Sequence, residues 1–110
     1  MTNLAELKKA LKKGAVFEMT EHYLRPEMSG QIRVVQKTQT NGVYTGIFNE
    51  PDNPISKANY GKGYWMPFDK ASNWRFKDGY AINTSIRGVK CFKIRLLSVD
   101  EIKAKEGMSA

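Results

Sequence analysis

Apolar residues recur at Leu4, Leu7, Ala10 and Leu11, which places them on one stripe of a helix. Asn3, with Glu6 three residues later, has the form of a capping box, so the pattern predicts an amphipathic helix over residues 4–13. Lys8, Lys9, Lys12 and Lys13 occupy its other face, the last two favourably placed against the dipole at its end, and Gly14 suits the position after the C-cap. A helix of about ten residues does not persist alone in water. The leucine stripe must therefore lie on the remainder of the chain, which offers only strands.

After Gly14 the period changes to two. Ala15, Phe17 and Met19 alternate with Val16, Glu18 and Thr20, and the run reaches Tyr23 before Arg25-Pro26 and Ser29-Gly30 mark a loop. In the β-branched run 31–40, Ile32 and Val34 take the core phase, with Arg33, Val35 and Lys37 on the opposite face. Asn41-Gly42 then predicts a type I′ hairpin, which needs positive φ at both central positions, with residues 43–48 as the return strand.

Residues 49–63 hold two prolines, two glycines and three asparagines, so no helix interior or central strand passes through them. A loop of that length is a natural place to seek a binding surface. Residues 64–68 form a short aromatic strand that Pro67 confines to a sheet edge or a strand end. A turn over 69–73, with room for one helical turn, leads to Trp74-Arg75-Phe76-Lys77. Asp78-Gly79 joins this strand to 80–86, and Arg87-Gly88 joins that to 89–97. Ser98 and Glu101 form a capping box for a helix of two turns, with fraying from Gly107.

The chain is thus expected to be mainly β within an α+β class: a small curled antiparallel sheet, or an SH3-like or OB-like barrel, of six or seven strands with an N-terminal amphipathic helix. The expected core is Leu4, Leu7, Leu11, Phe17, Ile32, Val34, Trp74, Phe76, Phe92, Ile94 and Leu96. At 110 residues and 41% hydrophobic content the chain makes one domain, 1–110, with a β-rich body over 15–97 and a helical tail over 98–110. No apolar run is long enough to span a membrane, no signal-peptide core is present, and one cysteine, Cys91, supplies neither an intrachain disulfide nor a zinc cluster. A cytoplasmic protein without membrane association is expected, with its oligomeric state open.

Charge adds a location. The net charge is +7, and residues 80–97 carry four basic groups and no acidic one. Lys93 and Arg95 lie on the opposite strand face from Phe92, Ile94 and Leu96, and Arg75 and Lys77 alternate likewise with Trp74 and Phe76. If the meander brings these strands together, Arg75, Lys77, Arg87, Lys93 and Arg95 form one basic patch. Such a face near aromatic rings is how small barrels hold nucleic acid, cations tracking phosphate and rings stacking on bases. Tyr64 and Trp65 are the foremost stacking candidates, with Tyr44, Tyr60 and Tyr80 as others. Lys62-Gly63-Tyr64 opens like the RNP1 motif, but Trp65, Met66 and Pro67 depart from it at once. The alternative is a protein-interaction module that uses 49–66 and its aromatics to hold a protein partner.

Catalytic chemistry is sparse. His22, the single histidine, stands beside Glu18 and Glu21 and reads as a solvated strand residue rather than a metal ligand. Cys91 reads as a buried structural thiol, although Lys90 and Lys93 could activate it if it were exposed. The chain has no phosphate-binding glycine loop, nucleophile elbow or zinc-protease motif. It therefore reads as a non-enzymatic binding module with no cofactor and no metal.

Three segments, 25–35 (RPEMSGQIRVV), 39–42 (QTNG) and 70–76 (KASNWRF), are similar to short uncharacterised proteins of phages and mobile elements of Gram-positive bacteria. The likeness spans roughly residues 4–77. It implies a bacterial or phage origin and supplies the inhibitor form of the protein-interaction alternative.

Overall fold

The computed structural model describes residues 2–48, 63–84 and 91–108. Among them, seven antiparallel strands form one curled, half-barrel sheet: β1 (Val16–His22), β2 (Gln31–Gln39), β3 (Gly42–Ile47), β4 (Tyr64–Pro67), β5 (Trp74–Lys77), β6 (Tyr80–Asn83) and β7 (Phe92–Leu96). Helix α1 (Leu4–Ala10) precedes the sheet and α2 (Val99–Met108) follows it. The strand order is β4-β3-β2-β1-β7-β6-β5, so two meanders join where β1 pairs with β7. β4 and β5 are the sheet edges, and the segment between them bridges the gap. Trp74 Nε1 donates to the Phe68 carbonyl, and Asn83 Nδ2 donates to Asp69 Oδ2 at 3.1 Å.

Pro67 sits on an edge strand, where its missing donor costs no ladder bond. Asp78 and Gly79 have φ of 52° and 83°, the paired positive values that a type I′ turn requires. At the other expected turn the structure differs. Gln39 pairs with Gly42, so Thr40 and Asn41 make the turn, and neither Asn41 nor Gly42 has positive φ. Gly42 is needed for a steric reason instead: a Cβ there would stand 2.5 Å from the Met66 carbonyl oxygen and 2.7 Å from Trp65 Cζ2. Glycine lets β4 lie against β3.

Inside the curl, Phe17, Met19, Val35, Val43, Met66, Trp74, Ala81, Phe92 and Ile94 are buried. Leu4 and Leu7 of α1 and its C-cap Leu11 join this core, as does Met28, on a 3-10 turn over Pro26–Met28. Phe76 and Leu96 are half-buried and pack on this core. α1 is shorter than expected. Its C-cap is Leu11, so Lys8 and Lys9 occupy the last turn, and Gly14, with φ of 91°, serves a reverse turn in which Ala15 N–H donates to the Lys12 carbonyl. The Ser98–Glu101 capping box forms reciprocally, at 3.1 and 3.2 Å, and α2 runs a turn longer than expected.

The phase of β2 is reversed from expectation. Arg33 and Val35 face the interior, each 1% exposed, whereas Ile32 and Val34 are half-buried on the outer face. Both phases of Ile-Arg-Val-Val offer a branched apolar residue, and pairing decides between them: Arg33 lies opposite Phe17, an interior residue. A guanidinium is tolerated there because polar partners meet it. Nε donates to Thr45 Oγ1 at 2.9 Å, one terminal nitrogen to the Thr45 carbonyl at 3.3 Å, and the other to Gln31 Oε1 at 2.5 Å.

Candidate nucleic-acid interface

The register of the second meander settles which cations share a face. Arg75 lies opposite Ile82, and Ile82 opposite Lys93. In the next row Lys77 lies opposite Tyr80, Tyr80 opposite Arg95, and Arg95 opposite Glu18. Alternation thus puts Arg75, Lys77, Lys93 and Arg95 together on the outer face of β5, β6 and β7. Residues two apart on one strand stand about 6.7 Å apart, and backbones two strands apart about 10 Å. Arg87 lies outside the described residues.

These cations are not equivalent. Arg75 and Lys77 are exposed. Lys93 is half-buried, with Nζ 4.2 Å from the centroid of the Tyr80 ring. Arg95 is already committed: its two terminal nitrogens donate to Glu101 Oε2 at 2.7 Å and Glu18 Oε1 at 3.1 Å. The Glu101 hydrogen bond is the main cause holding the Arg95 guanidinium above its ordinary range, and the same contact holds the Glu101 carboxyl below its own. Arg95 ties α2 to the sheet.

The two expected stacking residues point to opposite faces of β4. Tyr64 is turned inward, where its hydroxyl meets His22 Nε2 at 3.2 Å and its ring packs edge-on against His22 and Phe92. Burial pushes the phenol up to about 12. Tyr64 is thus a partly buried residue whose ring packs on the core. Trp65 is 36% exposed on the outside, its indole lying across Gly42. It stands beside a groove of about 370 Å³ whose walls include Lys8, Thr40, Asn41, Phe68 and Asp69. This groove belongs to the β4 edge and not to the β5–β7 face.

His22 corrects the expectation of a solvated histidine: it is 4% exposed. A bulge in the β1–β7 pairing between Met19 and Glu21 shifts the alternation, so that Glu21 faces solvent and His22 turns inward. Its Nδ1 accepts the Arg25 N–H at 2.9 Å, which leaves Nε2 as the protonated nitrogen donating to Tyr64. Burial, with nearby Arg25, holds its pKa below the ordinary histidine value. Cys91 is buried, as the pattern around it predicts. Among the described residues no group of three or more His, Cys, Asp or Glu side chains is placed to hold a metal ion, and no helix is long and apolar enough to cross a membrane.

Two features are not visible in the sequence. The Arg33 cluster is hidden by the ambiguous phase of β2. Lys8 reads as part of a solvated helix face, and nothing local to it signals the approach of Phe68, whose ring centroid lies 5.3 Å from Nζ. Comparison with known proteins finds no matching family model, curated protein or solved structure.

Proposed function

We propose that this protein is a non-enzymatic nucleic-acid-binding module whose outer β5–β7 face tracks the phosphate backbone through Arg75, Lys77 and Lys93. The observation that carries the reading is the cross-strand alignment of these residues on one face of a short meander, with Tyr80 and Ile82 between them. Such a face supplies charge without sequence-specific readout, so affinity should depend steeply on salt and weakly on sequence. Arg87 extends the same stretch of chain and is assigned to the interface by its place in the basic run 80–97.

The test is the triple substitution Arg75→Glu, Lys77→Glu, Lys93→Glu, assayed by salt-dependent gel shift on random oligonucleotides. Removing one phosphate contact lowers the log–log salt slope by about 0.9 on duplex or about 0.7 on a single strand. An unchanged slope and affinity would reject this face. The alternative, a protein-interaction or inhibitor module of a phage or mobile element using 49–66, rests largely on residues outside those described. Capture of a defined protein partner that is abolished by Trp65→Ala, together with indifference to oligonucleotides at low salt, would favour it.

A further inference from the structure

Trp65 is held in a way that suits a platform. Its indole lies across Gly42, where even a Cβ would stand 2.7 Å from Cζ2, and the neighbouring Tyr44 ring covers Gly63 in the same manner, a Cβ there standing 2.8 Å from Tyr44 Cε1. Trp65 and Tyr44 are directly paired across β3 and β4. The indole is therefore braced on one side by a backbone, while 36% of the residue remains exposed. A ring ordered in advance loses little entropy on binding.

The surroundings supply the rest of a nucleotide's chemistry. Phe68 and Pro67 extend the apolar wall, and Thr40, Asn41 and Asp69 bring hydroxyl, amide and carboxylate groups to the same groove. Lys8 reaches it over the Phe68 ring. Lys9, Lys12 and Lys13, on α1 and just after it, are exposed, as is Lys70 next to Asp69. Lys8 thus brings a cation to the wall of a groove of about 370 Å³, which falls within the range of small-ligand sites. A stacked base inside a duplex cannot reach a platform set into a groove; an unpaired base can.

We infer that the groove beside Trp65 seats one unpaired base of a single-stranded nucleic acid, stacked on the indole with its phosphates near Lys8. This rests on the nucleic-acid reading above and specifies the form of the ligand: single strands over duplex.

The experiment uses the full chain and single-stranded oligonucleotides of about 12 nucleotides, with the same sequences as duplexes. The chain has two tryptophans, Trp65 and the buried Trp74, so quenching of the more red-shifted emission reports on Trp65. Single strands should quench it and bind more tightly than duplex. Trp65→Ala should weaken single-strand binding roughly 5- to 100-fold, from the usual value of a base–aromatic stack. Trp65→Phe keeps a ring, so it should retain most of the affinity and lose the quenching. That variant also guards against a folding artefact in the alanine protein. Lys8→Glu should weaken single-strand binding and flatten its salt dependence. Equal affinity for duplex, or full affinity in Trp65→Ala, overturns the groove inference; if the β5–β7 triple variant still loses binding, the wider reading survives. Wild-type indifference to every oligonucleotide at low salt ends both.

Discussion

His22 Nε2 and the Tyr64 hydroxyl meet at 3.2 Å across the interior of the half-barrel, linking the last residue of β1 to the first of edge strand β4. The two bonds of this ring together require neutral imidazole with its proton on Nε2: a proton added at Nδ1 would displace the Arg25 amide N–H that Nδ1 accepts, while Nε2 would still donate to Tyr64. Burial and Arg25 lower the folded-state pKa of His22, opposed by Glu27. The unfolded chain therefore binds the proton more readily than the folded one. Stability from this site should be complete above the unfolded value of about 6.5 and fall as pH drops from there toward the folded value. Melting temperature, followed from about pH 7.5 down to about pH 5, should decline, and His22→Gln should remove that part of the decline.

Arg33 keeps its charge at neutral pH although burial lowers its pKa to about 10. Its stem fills volume between Phe17 and Thr45 while its head satisfies Thr45 and Gln31. Arg33→Ala should lower stability by about 2–4 kcal/mol, through a cavity and stranded polar groups together. Arg33→Met should cost less, because the stem volume is retained. Urea unfolding of the two variants separates packing from hydrogen bonding. On the expected β2 phase, with Arg33 outside, both substitutions would be nearly silent.

Gly42→Ala should destabilise by about 1–3 kcal/mol, since the added Cβ meets backbone at Met66 and has no room to yield. Relief comes only by moving β4, which carries Trp65. Thermal melting should fall and Trp65 emission should shift, although residue 42 is neither charged nor aromatic.

Arg95 and Lys93 should part company on substitution. Lys93→Ala should leave stability within about 0.5 kcal/mol, as for an ordinary surface change. Arg95→Ala should cost about 1 kcal/mol, because it releases both Glu18 and Glu101 and loosens the start of α2. For oligonucleotide affinity the order reverses, with Lys93→Ala the more harmful. Chemical denaturation and gel shift on the same two variants check both halves.

What the sequence made legible was local. Asp78-Gly79, Ser98 with Glu101, Pro67 at an edge and the leucine stripe of α1 each carry their meaning within a few residues, and each sits where the pattern places it. What stayed hidden depends on pairing. The bulge after Met19 turns His22 inward, the partner Phe17 fixes Arg33 inside, and packing under β4 gives Gly42 its role. The basic face was partly visible because alternation survives through the β5–β7 meander. The commitment of Arg95 to Glu18 was not, since that contact joins residues 77 positions apart.

The strand order also constrains how the chain acquires its shape. Every paired neighbour is adjacent in sequence except β1 and β7, whose register sets Phe17 against Leu96 and Met19 against Ile94. Hairpins can zip early from local turns, but this single seam must close a loop spanning most of the chain, and loop closure of that kind governs folding speed. Neither meander alone encloses the shared interior, so Phe17 and Ile94 stay wet until the seam forms. A circular permutant opened between β4 and β5 would turn the sheet into one continuous meander, β5 to β7 and then β1 to β4, with its only long-range pairing made local.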